Sequence, residues 1–285
     1  MRTFIRWSGN KQKYIKQIMP YVPATFDRYV EPFLGSGALF LHVQPKKWIL
    51  NDLNKDLVNV WKQVKDRAEQ VIELMKDFGS RFLRMTKTER VAYCRNITYR
   101  IPDMEYDVNR ATMFLLMKYS AYMGNILRNG KFYFPGLELN TYDKEVYFLS
   151  ERFYGNLREV SRYLQTSTGA MTNKDYRHVL KKTRAGDFVF LDPPYDEGYD
   201  YRFNYNKGES VGDAFLLELL TEVRCLDRKG VRWMMTQADT PTVRKLFAHY
   251  NILPLRVFRG YTNTAKTELL LTNYALQRGQ TRDDT

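Results

Sequence analysis

No stretch of this chain constrains its fold more than Gly186-Asp187-Phe188-Val189-Phe190-Leu191 followed by Asp192-Pro193-Pro194-Tyr195. The apolar run is short and opened by a turn glycine, the pattern of a strand buried on both faces. The two prolines cannot donate to a ladder, so the strand ends there and the next few atoms are held rigid. An acid, two stiff residues and an aromatic ring therefore sit at the carboxyl end of a central strand, where ligands bind in open α/β sheets. These residue types suit the holding of a flat base that carries an exocyclic amine. The Asp192 carboxylate and the Pro193 carbonyl can each accept one amine hydrogen, and Tyr195 can stack on the ring. The tetrapeptide alone also permits a plainer reading, a Pro-rich turn with Tyr195 in the core.

A net charge of +13, from 45 Lys+Arg against 32 Asp+Glu, points to a polyanionic partner, nucleic acid before membrane. With 285 residues, the chain can form one large domain or one domain with a substantial insertion. Cys94 and Cys225 are far apart, and His42, His178 and His249 add no metal-ligand spacing, so no zinc site is expected. The first residues lack the apolar core of a signal peptide, and the longest apolar region, about 111 to 127, is broken by Lys118. The expectation is an intracellular protein without a membrane span.

Along the chain, Trp7-Ser8-Gly9-Asn10-Lys11 reads as a polar loop before a short helix closed by Pro20 and Pro23. Residues 28 to 41 read as strand, Gly-rich turn and helix, with Gly35 and Gly37 able to adopt positive φ and let a ligand approach the backbone. Lys47-Trp48-Ile49-Leu50-Asn51-Asp52 is a second strand ending in an acid. In nucleoside-binding α/β folds such an acid takes the ribose hydroxyls, although Asp52 could equally cap the helix beginning near Asn54. Helical periodicity follows from Asp56 to Gly79, a Thr86-Glu89 capping box starts another helix, and Asp107 caps a third. These helices contain no sheet strand, which predicts a catalytic domain in two parts, 1–55 and 144–285, around a helical insertion at 56–143.

The end of that insertion, Lys118 to Lys131, holds Lys118, Arg128 and Lys131 and no acid, interleaved with Tyr119, Tyr122, Asn125 and Asn129. On a protruding loop with a hairpin arm these side chains suit phosphate contact and base-edge readout, while a merely solvated loop is the alternative. A helix from Glu145 to Gln165, a weak strand at 168–172, a long polar loop at 196–212 and a helix from Asp213 to Arg228 then follow. A strand at Val231 to Thr236, a short helix after Thr240-Pro241 and paired strands at 252–258 and 267–276 complete the α/β pattern.

Taken together, Trp7-Ser8-Gly9-Asn10-Lys11, Glu31-Pro32-Phe33-Leu34-Gly35-Ser36-Gly37, Asn51-Asp52, Asp192-Pro193-Pro194-Tyr195 and Glu268-Leu269-Leu270-Leu271-Thr272-Asn273-Tyr274 resemble the DNA adenine methyltransferase (Dam, D12 class) family. The resemblance spans nearly the whole chain. It implies a Rossmann-like, S-adenosylmethionine-dependent methyltransferase sheet with an inserted, mainly helical DNA-recognition subdomain. It further implies methyl transfer from S-adenosylmethionine to adenine N6 in double-stranded DNA, with no metal, by a monomer acting in the cytoplasm of a bacterium or a phage host. By the same resemblance Trp7, Lys11, Glu31, Phe33, Gly35, Gly37, Asp52 and Asp192 line the cofactor pocket. Asp192, Pro193, Pro194 and Tyr195 carry catalysis, and Lys118, Arg128, Asn129 and Lys131 meet DNA. Two positions depart from the family pattern. Asn10 stands where the family usually has glycine, and residues 123 to 132 lack its hairpin spacing, so the family's usual GATC target does not carry over with the chemistry. Cytosine N4, an RNA base or a glutamine side chain remain alternative acceptors, and a DNA-binding relative without turnover is the non-enzymatic alternative.

Overall fold

The computed structural model describes residues 1–128, 130–138, 146–195, 212–259 and 264–275. Seven strands form one sheet: β1 (Arg28–Glu31), β2 (Lys47–Asn51), β5 (Thr168–Thr172), β6 (Asp187–Leu191), β7 (Arg232–Ala238), β8 (Asn251–Arg259) and β9 (Thr264–Thr272). Their spatial order is β5-β2-β1-β6-β7-β9-β8, and β3 (Leu127–Arg128) pairs with β4 (Lys131–Phe132) in a separate hairpin. The neighbours from β5 to β7 run parallel, whereas β9 is antiparallel to both β7 and β8. The chain thus winds outward from β1 to β5, then returns to the other side of β1 with β6. That reversal opens a crevice at the carboxyl ends of β1 and β6, the usual ligand position in an open sheet. Glu31 ends β1 and Asp192 follows β6.

The central position of β6 follows from its composition. Every residue of the strand is buried. Phe188 and Phe190 face one hydrophobic core with Tyr29 and Met234, while Val189 and Leu191 face a second with Val30 and Met235. The edge strand β5 is polar and largely exposed, and a Cβ at its Gly169 would come within 2.1 Å of Trp48. Helices α2 (Ala38–Val43), α3 (Lys55–Phe82), α5 (Val108–Ser120) and α6 (Glu151–Thr166) cover the first face, and α7 (Tyr176–Lys181), α8 (Asp213–Arg228) and α9 (Pro241–Leu246) cover the second. Among the described residues, none between β2 and β5 joins the main sheet, yet the helices there share one continuous core with it. No helix of the described residues is long and apolar enough to cross a membrane.

Local sequence explains most boundaries. The Asn54 side chain accepts from Leu57 N to start α3. The Thr86–Glu89 capping box starts α4 (Lys87–Arg100), and Asp107 caps α5. Two expectations need correction. The helix expected from Glu145 begins at Glu151, because the Ser150 hydroxyl accepts from Phe153 N and fixes the start. The last strand ends at Thr272, because the Asn273 side chain turns aside to bond Trp233 N, Asp227 and Val231 O. The short helix α7, capped by Asp175, was not foreseen. The expected loop at 196–212 lies outside the described residues apart from Gly212.

One buried ion pair ties α3 to α5. Arg110 Nε lies 2.6 Å from Asp56 Oδ1, with side chains 5% and 10% exposed, and the guanidinium also donates to the carbonyls of Pro102 and Met104. Removing one partner of such a pair leaves a buried charge uncompensated. Asp56→Ala is therefore expected to cost about 3–5 kcal/mol in urea unfolding, and adding Arg110→Met should recover part of that loss.

Candidate active site

The N-terminal turn carries Lys11 to the end of β6. Gly9 adopts φ +80 and the Asn10 side chain accepts from Gln12 N, so the chain turns and presents the lysine inward. Asn10 Nδ2 also donates to Thr3 Oγ1, which is how the fold accommodates asparagine at this position. Lys11 Nζ lies 2.6 Å from Asp192 Oδ1, with side chains only 4% and 20% exposed. The ammonium also bonds Gly9 O and stands 4.9 Å from the centre of the Tyr195 ring.

Asp192 is held by one oxygen. Besides Lys11, the Thr236 hydroxyl donates to Oδ1 at 2.7 Å, and the Tyr195 hydroxyl lies 3.3 Å from the same atom. No hydrogen bond from the described residues reaches Oδ2. Among the described residues one oxygen is thus fixed and the other keeps its acceptor capacity next to Pro193. Tyr195 is only 4% exposed; its hydroxyl reaches Glu268 Oε2 at 2.8 Å, and burial beside Asp192 and Glu268 pushes the phenol well above its ordinary range.

The loop after β1 forms the neighbouring wall. Gly35 N and Asn54 N each donate to one Asp52 oxygen at 2.9 Å, so this carboxylate joins the glycine turn to the end of β2. A carboxylate offers about four lone-pair sites, and the Leu53 amide also bonds this one, so acceptor capacity for a further donor remains. Burial raises the Asp52 carboxyl to about 6, against the lowering effect of those amides. Gly35 (φ +49) and Gly37 (φ +63) are required: a Cβ would come within 2.9 Å of Trp7 and 2.6 Å of Trp61 respectively. Glu31 is buried and bonded by the Tyr29 hydroxyl, and burial, with Asp192 and Asp52 nearby, pushes its carboxyl well up. Phe33 packs on Tyr176 at 5.0 Å, and Asn51 ties Pro32 O to Lys174 O.

The residues expected to meet DNA separate. Arg128 and Lys131 are exposed and face one another across the β3–β4 hairpin. Asn129 lies outside the described residues. Lys118 is not on the loop; it belongs to the last turn of α5, is 2% exposed, and its ammonium stands 4.7 Å from the centre of the Trp7 ring. The apolar positions around it on α5 carry it inward. Trp7, Lys11, Glu31, Phe33, Gly35, Gly37, Asp52 and the Asp192–Tyr195 turn, in contrast, lie along the two loops and three strand ends that border the crevice.

The D12 class N6 adenine-specific DNA methyltransferase model matches residues 7–260. The chain belongs to this family. Its relatives in the D12 class include a DNA adenine methylase of Serratia marcescens, 30% identical over 96% of this chain and 98% of that protein. The type II methyltransferase M1.LlaDCHI of Lactococcus lactis subsp. cremoris is 29% identical over 96% of both chains. The type II methyltransferase M.MjaIII of Methanocaldococcus jannaschii is 25% identical over 88% of this chain and 90% of its own length. The protein is thus an enzyme, an N6-adenine DNA methyltransferase, and DNA is its substrate.

Four residues of this D12 crevice escaped sequence reasoning: Tyr14, Thr236, Glu268 and Tyr176. Thr236 and Gln237 are polar residues at the carboxyl end of an otherwise buried strand, a signal that could have been read. Tyr176 is buried with an unpartnered hydroxyl beside Phe33, and only the unforeseen α7 brings it there. Among the described residues no cluster could hold a metal ion.

Burial and nearby Arg6 lower the Lys118 ammonium to about 7. Its pKa in the unfolded chain is about 10.4, so between these values the unfolded chain binds more protons and stability rises with pH. The cost of the buried charge is complete below about pH 7 and is relieved towards pH 10. Lys118→Met should therefore stabilise the fold most near pH 6, and its advantage in denaturant unfolding should shrink steadily towards pH 10.

Proposed function

We propose that the enzyme transfers the methyl group of S-adenosylmethionine to the N6 amine of an adenine flipped out of duplex DNA, at the crevice between β1 and β6. The reading is carried by one observation: Asp192 is fixed through Oδ1 by Lys11 and Thr236 while Oδ2 accepts from none of the described residues. When bound, the donor supplies a methyl group already activated on a sulfonium. The protein's part is alignment and charge stabilisation. Adenine's amine is a poor nucleophile because its lone pair is delocalised into the ring. Asp192 Oδ2 and the Pro193 carbonyl draw its two hydrogens, favour the tetrahedral nitrogen of the transition state and stabilise its growing positive charge.

The remaining residues divide the substrates between them. Asp52 accepts the ribose hydroxyls at the positions its backbone contacts leave open, and Glu31 to Gly37 hold the methionine side together with Trp7 and Lys11. The residues present fit such a donor, since the neighbouring acids Glu31, Asp52 and Asp192 complement a positively charged molecule and Asp52 keeps acceptor capacity beyond its backbone contacts. Unstacking the base costs a few kcal/mol, of which stacking on Tyr195 returns about 1–3 kcal/mol. That stacking requires the nearly buried ring to be uncovered as the base enters. Arg128 and Lys131, with Asn129, meet the DNA from the hairpin, where cations hold phosphates and arginine fits the guanine edge.

Two outcomes test this reading. Incubation with methyl-labelled donor and varied duplexes, followed by nucleoside analysis, should place the label on adenine N6, and Asp192→Asn, whose amide oxygen can still accept from Lys11 and Thr236, should lower the rate about 10²–10³-fold. Label on cytosine N4, or retention of a tenth of the activity, would count against it. Affinity for the demethylated donor should also depend on Asp52 ionisation. Because its carboxyl titrates at about 6 and the anion is the better acceptor, calorimetric affinity should hold above pH 7 and weaken below 6, by up to about tenfold per pH unit. Asp52→Asn should flatten that dependence.

A further inference from the structure

We propose that Glu268 is a positioning residue for the transfer step, holding the single phenol proton of Tyr195 away from Asp192. The inference rests on the role proposed above for Asp192 as acceptor of the amine. Glu268 lies on β9 opposite Ala238 of β7, two residues beyond Thr236, and is fully buried. The Tyr195 hydroxyl is 2.8 Å from Glu268 Oε2 and 3.3 Å from Asp192 Oδ1. A phenol has one hydrogen, so it donates to only one of the two acids. The shorter contact and the complete burial of the Glu268 carboxylate direct it there. The Tyr14 hydroxyl, 3.2 Å from both Glu268 oxygens, anchors the carboxylate from the N-terminal side. With the phenol proton held elsewhere, Asp192 meets the substrate amine with Lys11 and Thr236 as its donors among the described residues, and the Tyr195 ring is fixed at its far end.

Without that carboxylate the phenol turns to Asp192 Oδ1, draws charge to that oxygen and weakens Oδ2 as the acceptor of the substrate amine. Glu268→Gln should lower kcat about 10- to 100-fold, the worth of a hydrogen bond to a charged group, with little change in KM for DNA. A merely structural loss would act whatever residue stands at 195. In the Tyr195→Phe background, which has no phenol proton, Glu268→Gln should add less than a threefold further loss. A second readout needs no turnover: in protein labelled at tyrosine Cζ, the Tyr195 resonance, assigned by its loss in Tyr195→Phe, should shift when Glu268 becomes Gln. If Glu268→Gln does not fold, Glu268→Asp replaces it in both measurements, with a kcat loss of threefold or more expected. Wild-type activity on adenine is the control for the reading of the site, whereas the resonance judges the inference alone. An unshifted resonance, or a kcat loss that persists undiminished in the Tyr195→Phe background, would overturn it.

Discussion

The contact between Lys11 and Asp192 organises the rest of the crevice. A lysine 4% exposed would be costly without an acid beside it, and Asp192 at 2.6 Å supplies that acid. The pair joins residues 181 positions apart, 11 and 192, and so docks the N-terminal turn onto the end of the central strand. That docking sets Trp7 over Gly35, whose positive φ and missing side chain the close approach requires. Gly35 N in turn fixes Asp52, which fixes the start of α3 through Asn54. A chain of short contacts therefore runs from the turn proposed to carry catalysis to the wall proposed to hold the ribose.

The charge pattern of the crevice opposes that of the whole chain. The protein carries +13, yet Glu31 and Asp192 stand at the ends of β1 and β6, Asp52 follows β2, and Glu268 faces the end of β7. Burial and mutual repulsion push the Glu31 carboxyl up, which is the cost of packing acids together. An acidic crevice in a basic protein separates two tasks. An acidic crevice suits the sulfonium donor proposed above, and exposed cations suit a polyanion such as DNA.

Much of this was legible in sequence because it depends on local pattern. The doubly buried strand at 187–191, the Gly35–Gly37 turn, the Thr86 capping box and the acid after β2 are each written in a few adjacent residues. What stayed hidden depends on tertiary partners. Glu268 looked like one residue of a strand motif, because its partners Tyr14 and Tyr195 are 254 and 73 positions away. Lys118 looked like a loop cation because charge is usually solvated. Its inward direction comes from the apolar face of α5, whose last turn ran further than the polar composition suggested. Asp52 was assigned either to a ligand or to a helix cap; Asn54 is the residue that caps α3, and Asp52 only braces that cap by accepting from Asn54 N.

The central claim is that the open oxygen of Asp192 receives the amine of the target base. A crystal structure of the enzyme with the demethylated donor and a duplex carrying its methylation site tests this directly. The account predicts the adenine outside the helix, with N6 within hydrogen-bond distance of Asp192 Oδ2 and of the Pro193 carbonyl while Lys11 and Thr236 remain on Oδ1. A target base whose amine is bonded by other groups, with Oδ2 facing solvent or turned onto the protein, would contradict it.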